Sequence, residues 1–215
     1  GHSRSRGVAT NILYKPKKET MKTPKTIAEY FKDNPENDLE YWNTDLNCYH
    51  LSGFALLPKI AALKPQTMLD LGCGYNEFKP YFPQLIGIDL SNTSADVIGD
   101  FLDYQVDDNS QDVILALGSI NFLGLETVSD QVAWIYRKLK PGGTAFIRVN
   151  PAQAPDDSIT EEFYVWSIED IYNFTTEHAW TIKDGIILYE DRLPSEKLRG
   201  AEGFPNIKLS WQWIK

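Results

Sequence analysis

The chain predicts an α/β fold: a doubly wound, mainly parallel sheet with an antiparallel C-terminal strand pair and shortened helices. Three observations carry that expectation. From Thr67 onward, short apolar runs of the kind found in strands buried on both faces alternate with turns and helix-spaced segments. The first run leads into "LDLGCGYNEF", Leu69 to Phe78, where an acid precedes two glycines that flank one small residue. The tail then changes character, with a helix followed by two strand-like runs, Trp180 to Tyr189 and Ile207 to Ile214, suited to pair antiparallel at the sheet's edge.

The elements follow in order. Thr26 to Phe31 and Leu51 to Leu63 have helical apolar spacing, with Pro35 and its Asn/Asp neighbours breaking the chain between them. Ser52 is a candidate cap for the second, and Pro58 must kink it or sit in its first turn. Strands are expected at Thr67 to Leu71, Leu85 to Leu90, Val97 to Ile98, Asp112 to Leu117 and Thr144 to Val149. Val128 to Leu139 reads as an amphipathic helix through Val132, Ile135, Tyr136 and Leu139, ended by Lys140-Pro-Gly-Gly143 with a glycine left-handed cap. Ser167 to Glu177 reads as a helix with Ser167 as N-cap and Asp170 at the capping-box position.

At 215 residues the chain has room for one domain, with or without appendages. No apolar run approaches the ~20 residues that span a bilayer, so no membrane association is expected. Cys48 and Cys73 lack metal-ligand spacing and read as reduced thiols, hence no metal site and a cytoplasmic setting. Charge is uneven. Residues 1–25 hold seven cations against Glu19 alone, a net +6, which leaves −15 for the remainder of a chain at −9 overall. That segment is either a basic arm able to touch nucleic acid or linker sequence added ahead of Met21, since the chain opens on Gly-His. The acidic body argues against a duplex-binding surface. The expected organisation is a basic arm or added segment over 1–25, a helical cap over 26–66, and the sheet domain over 67–215.

In an open parallel sheet, ligands bind beyond the carboxyl ends of the strands. Gly72 and Gly74 would let the backbone approach a ligand there. A dinucleotide loop would place glycine where Glu77 stands, and no Gly-Lys-Ser/Thr follows for a P-loop. Asp70 would repel a diphosphate and suit a cation. The loop therefore asks for a ligand with an ammonium group and no phosphate, a description that S-adenosylmethionine meets. Asp89, ending the second strand in "LIGIDL", stands where a carboxylate accepts from both ribose hydroxyls. Asp100 in "GDFLDY" stands where an adenine amino group would lie, with Phe101 or Leu102 against the base. Gly118 in "LALGSINF" keeps the pocket floor open.

With these motifs in chain order, Thr67 to Pro151 resembles the core of a class I S-adenosylmethionine-dependent methyltransferase, a Rossmann-like fold. "LDLGCG", "GIDLS", "GDFLDY", "DVILALGSI" and "LKPGGTAFIRV" match its successive motifs, and the likeness extends over about Leu51 to Lys215. The resemblance implies a cofactor site at Asp70, Gly72, Cys73, Gly74, Asp89, Leu90, Asp100, Phe101, Leu117, Gly118 and Ser119. "GSINF", "RVNP" and "YVWS" together are also similar to small methyltransferase-like proteins of tailed bacteriophages. Three departures stand out. Asn76 replaces a third glycine, which would press the loop less closely on its ligand. Pro80 and Pro83 leave at most two short turns after the loop. Asp89 to Asp100 is too short for a crossover helix of about a dozen residues, so Asn92-Thr-Ser94 should turn directly.

Methyl transfer needs a base only if the acceptor loses a proton. His50 is the candidate, while His178 reads as a structural residue at a helix end. Asn121, Arg148, Asn150 and Trp166 are candidate acceptor-binding residues, with Tyr41, Trp42 and Tyr49 as further walls. Arg148, mid-strand, requires a carboxylate partner from the protein or from a substrate. The expected function is methylation of N or O on a small molecule. The alternatives are a nucleic-acid or protein acceptor met by the basic arm, and a binding protein that keeps the fold without turnover.

Overall fold

The computed structural model describes residues 56–149, 164–190 and 207–215. Its elements are α1 (Leu57–Ala62), β1 (Met68–Leu71), β2 (Leu85–Asp89), β3 (Val97–Ile98), β4 (Gln111–Leu117), α2 (Leu125–Lys138), β5 (Leu139–Val149), α3 (Ile168–His178), β6 (Thr181–Glu190) and β7 (Ile207–Ile214). The strands form one sheet in the order β3-β2-β1-β4-β5-β7-β6. The first five run parallel, and β7 pairs antiparallel with both β5 and β6, as the tail pattern predicts.

Strand alternation sorts the core onto the two faces of this sheet. Ile114 and Ala116 of β4 face one side with α2, α3 and the tryptophans of the tail. Val113, Leu115 and Leu117 face the other, with Met68, Phe78, Phe82, Phe146 and Ile60 of α1. The central strands are covered on both sides, which is why their sequence runs apolar without alternation.

The helix ends show where local sequence decides. Ser167 caps α3 by accepting from the Asp170 amide, and the Asp170 carboxylate accepts from the Ser167 amide, completing the expected capping box. Pro58 lies in the first turn of α1, whose N-cap is Leu56, so Ser52, outside the described residues, is not the cap. The Lys140–Gly143 stretch departs from expectation. Helix α2 ends at Lys138, Leu139 is already extended, and β5 runs on through the glycines. Gln111 pairs with Leu139 and Val113 with Thr144, so Pro141 and the two glycines bulge out of a strand instead of capping a helix. Pairing with β7 competes for the same backbone: Lys215 donates its amide to Gly143 and accepts from the Gly142 amide. The expected helix over residues 26–31 lies outside the described residues.

Both crossovers next to the glycine loop are trimmed, as the prolines and chain length require. Residues 74–81 form successive turns with no α-helix, and residues 90–96 connect β2 to β3 by bends and turns.

Candidate functional site

β1 ends at Leu71 and the loop folds back over the end of β2. Gly72 and Cys73 both donate their amides to the Ile88 carbonyl, at 2.8 and 3.0 Å, and Gly74 donates to Asp89 Oδ2 at 3.0 Å. All three loop amides are therefore spent inside the protein, unlike those of a phosphate-cradling loop. Both glycines take left-handed φ, 72° and 53°. A Cβ on Gly72 would come within 2.5 Å of Ser119 Cβ, so the loop passes directly beneath the end of β4 and only glycine fits.

Asn76 stands where a third glycine was expected, and its φ of 60° is the same left-handed conformation, which asparagine tolerates better than most residues. The loop is not loosened there. Asn76 Nδ2 donates to the Ser94 carbonyl at 3.2 Å and to Asp96 Oδ2 at 3.1 Å. Asp96 Oδ2 also accepts from the Gly87 amide at 2.8 Å and from Lys79 Nζ at 3.2 Å. Asp96 thus joins the glycine loop, β2 and the following turn at the point left without a crossover helix. These bonds hold its carboxyl below the usual range against the cost of burial. Neither residue carries an obvious motif signature; the one clue is that Asn is the non-glycine residue best suited to a left-handed position.

The two expected carboxylates meet at this end of the sheet. Asp70 is 4% exposed. Burial, chiefly, and the negative charge of Asp89 push its carboxyl up to about 7, while Arg148 opposes the shift. Asp89 Oδ1 accepts from the Ser91 and Asn92 amides, at 3.0 and 2.9 Å, and so shapes the turn as well as holding Gly74. Asp100 is exposed and caps a 3-10 turn, Phe101–Asp103, through the Leu102 amide.

Some expected site residues take other duties. The Phe101 ring is buried edge-on against Trp134, 5.3 Å between centroids, so it is a core side chain and Leu102 is left nearer the surface. Cys73 points into the sheet, where a Cβ on Gly87 would lie 2.8 Å from its sulfur. Burial and neighbouring carboxylates push its thiol up, so it offers the site backbone only. Trp166, expected as an acceptor wall, is 1% exposed; it donates Nε1 to the Ile120 carbonyl and packs on Tyr164, Phe174 and Trp211. It has no surface to give a ligand. His178 closes α3 with its ring against Tyr136, a structural position.

At the end of β4, Gly118 has φ 99° and Leu117 is buried, whereas Leu90 beyond β2 is 45% exposed. The Ser119 hydroxyl is buried without a partner directly over the Gly72 turn. Asn121 is fully buried and donates Nδ2 to the Gly118 carbonyl, bracing that floor. Arg148 on β5 donates Nη2 to the Leu117 carbonyl at 3.0 Å. His50, Asn150, Tyr41, Trp42, Tyr49 and Cys48 lie outside the described residues. Two carboxylates, an unpartnered hydroxyl and a glycine cradle fit a compact ligand that brings a cation and hydroxyl groups.

Residues 69–147 match the family described as "Methyltransferase domain". No curated protein matches the chain in sequence. Solved structures match in fold. A Burkholderia thailandensis 1,6-didemethyltoxoflavin-N1-methyltransferase, solved with 1,6-didemethyltoxoflavin and S-adenosylhomocysteine bound, aligns at TM-score 0.62 and 16% identity over 87% of this chain and 86% of that one. A chain from the Haloferax volcanii complex containing the Trm112 methyltransferase activator aligns at 0.64 and 17%, over 88% and 97%. An Archaeoglobus fulgidus S-adenosylmethionine-dependent methyltransferase aligns at 0.56 and 16%, over 77% and 93%. At such identities the likeness is one of fold. Among the described residues no helix is long and apolar enough to cross a membrane.

Proposed function

We propose that this chain, whose residues 69–147 match a methyltransferase domain, is a class I S-adenosylmethionine-dependent methyltransferase acting on N or O of a small molecule. The observation that carries the cofactor half of this reading is the spending of the Gly72, Cys73 and Gly74 amides on Ile88 and Asp89, with buried Asp70 beside them. Such a crest rejects phosphate and receives a cation. Asp70 would take the ammonium of the methionyl chain, Gly72 and Gly74 would admit it closely, and Asp89 would accept from the ribose hydroxyls. Asp100, the Phe101 backbone, Leu102 and Leu90 would border the adenine, with Leu117, Gly118 and Ser119 as the floor.

S-adenosylmethionine supplies a methyl carbon activated by a sulfonium. Asp70, the Gly72–Gly74 turn and Asp89 would hold the donor so that an acceptor lone pair could reach that carbon in line, the thioether being the leaving group. The protein's part is positioning. An acceptor that starts protonated passes its proton to a base, for which His50 is the candidate, or to water. Asn150 would border the acceptor, with Asn121 holding the Gly118 floor through its carbonyl. That the Burkholderia protein acts on a small heterocycle supports a small acceptor here.

Calorimetry with S-adenosylhomocysteine tests the reading, and failure to bind would sink it. Asp89→Ala should weaken that binding by about 1–3 kcal/mol, the cost of losing charge-assisted hydrogen bonds. An unchanged Kd would remove Asp89 from the site. One sequence observation favours a macromolecular acceptor instead: the net +6 of residues 1–25. Deleting them should leave the methylation of a small acceptor unchanged. If transfer to RNA is instead lost, together with its salt dependence, the macromolecular reading replaces this one.

A further inference from the structure

We infer that Trp166, which touches no ligand, is a positioning residue for methyl transfer: acting through the Ile120 carbonyl, it holds the β4 exit, Gly118 to Asn121, at a fixed height over the glycine turn. This rests on the S-adenosylmethionine reading, in which that exit is the floor below the sulfonium.

Residues 118–121 belong to no helix or strand, so their shape depends on bonds from elsewhere. Three of their carbonyls are claimed. Gly118 accepts from Asn121 Nδ2 at 2.9 Å, Ile120 from Trp166 Nε1 at 2.8 Å, and Asn121 from the Tyr164 amide at 2.6 Å. Two of these donors come from residues 164–166, the approach to α3. Between them, Ser119 is pressed on Gly72, where a Cβ would lie 2.5 Å from its own. Any shift of the exit therefore changes the gap over the glycine turn directly.

The start of α3 sets this latch. Ser167 is the N-cap, which puts Trp166 just before it and Ile171 at the fourth helical residue, the two positions that a hydrophobic staple joins. Both are buried in one cluster, with Trp166 also against Phe174 and Trp211. Tyr164 donates its hydroxyl to Asp170, the acid of the capping box, and its ring meets Trp166 edge-on, 5.5 Å between centroids. The indole is thus locked by packing before it donates, as a group that fixes a floor must be. Ile120 is fully buried, so water cannot stand in for Nε1.

Two neighbours show that the bond is not a mere accompaniment of a buried indole. Trp180 and Trp211 lie in the same cluster, and their Nε1 atoms are buried without a partner. The core here accepts an indole whose N–H goes unused. Trp166 spends its own on the β4 exit.

Trp180 supplies the control that separates positioning from packing. Trp166→Phe and Trp180→Phe each shrink one buried ring of the same cluster, but only the first takes a donor from the floor. By calorimetry on the full chain, Trp166→Phe should weaken S-adenosylhomocysteine binding about threefold to tenfold, the span of one net hydrogen bond, while Trp180→Phe stays within about twofold of wild type. Hydrogen exchange of the peptide spanning residues 117–123 should quicken in Trp166→Phe alone. Should that variant not fold, Trp166→benzothienylalanine keeps the shape of the ring and lacks only the N–H, and the same two measurements decide. Equal effects of the two Phe variants, or a change in exchange or binding without the other, overturn the positioning role and leave a purely structural bond. Wild-type protein that binds no S-adenosylhomocysteine overturns the cofactor reading and the purpose of the latch with it, whereas unchanged binding in Trp166→Phe overturns the latch alone.

Discussion

Asp70 is the residue whose chemistry depends most on its surroundings. In water its carboxyl would be ionised above about pH 4; buried next to Asp89, with Arg148 in partial compensation, it titrates at about 7. Between those values the folded protein keeps a proton that the unfolded chain has lost. The stability so conferred is full below the unfolded value and fades as pH rises through about 7. Ligand-free protein should accordingly melt at a lower temperature at pH 8 than at pH 5.5, and Asp70→Asn should flatten that slope. A ligand ammonium selects the ionised form, so S-adenosylhomocysteine should bind less tightly below pH 7 and release a proton on binding. Titrations in two buffers of different ionisation heat count that proton; none released would remove Asp70 as the ammonium's partner. The acids flanking the loop were legible as types at strand ends. The pKa was not, because it follows from burial and from Arg148, 78 positions downstream in the chain.

At the level of elements, the short links around the glycine loop place demands on side chains that helices would otherwise meet. Asp96 accepts from Gly87, Asn76 and Lys79 and thereby holds the loop, β2 and the connecting turn in one arrangement. Asp96→Ala should leave the Gly87 amide without its acceptor and release Asn76, destabilising the fold by about 1–3 kcal/mol. S-adenosylhomocysteine binding should weaken as well, although Asp96 is not assigned to the ligand. A variant with lowered Tm and unchanged affinity would separate the loop from this network. Local signals served well where one short segment settles the matter: the Ser167–Asp170 capping box reads directly from sequence and forms as read. They failed at Lys140–Gly143. A helix-ending glycine pair and a bulged strand use the same residues, and pairing with Lys215, far along the chain, chose the strand.

Across the whole molecule, the antiparallel pair β7–β6 is part of the main core, not an appendage. Trp211 and Trp213 of β7 pack with Trp166 and Trp180 in a contiguous aromatic cluster on the α2–α3 face. Trp166→Ala should cost about 3–5 kcal/mol, the penalty for emptying a large buried ring, measured by denaturant unfolding. If the variant instead keeps its stability and loses acceptor binding, Trp166 returns to the pocket wall. The topology also explains why the residues at the loop-bearing end of the sheet come together although they are far apart in the chain. Parallel strands joined by crossovers bring every carboxyl end to one edge of the sheet, so motif residues following separate strands converge whatever lies between them.

Order along the chain was enough to determine the parallel sheet, its antiparallel margin, the glycine turn and the acids beside it, since apolar period, chain length and glycine's conformational freedom act locally. Tertiary packing alone decided that Trp166 and Phe101 are core, that Asn76 and Asp96 brace the loop, and that Arg148 lies over Gly118. Each of those outcomes is set by which strand becomes a neighbour. A side chain's neighbours across a sheet come from register between distant segments, and no window of sequence contains both sides of that contact.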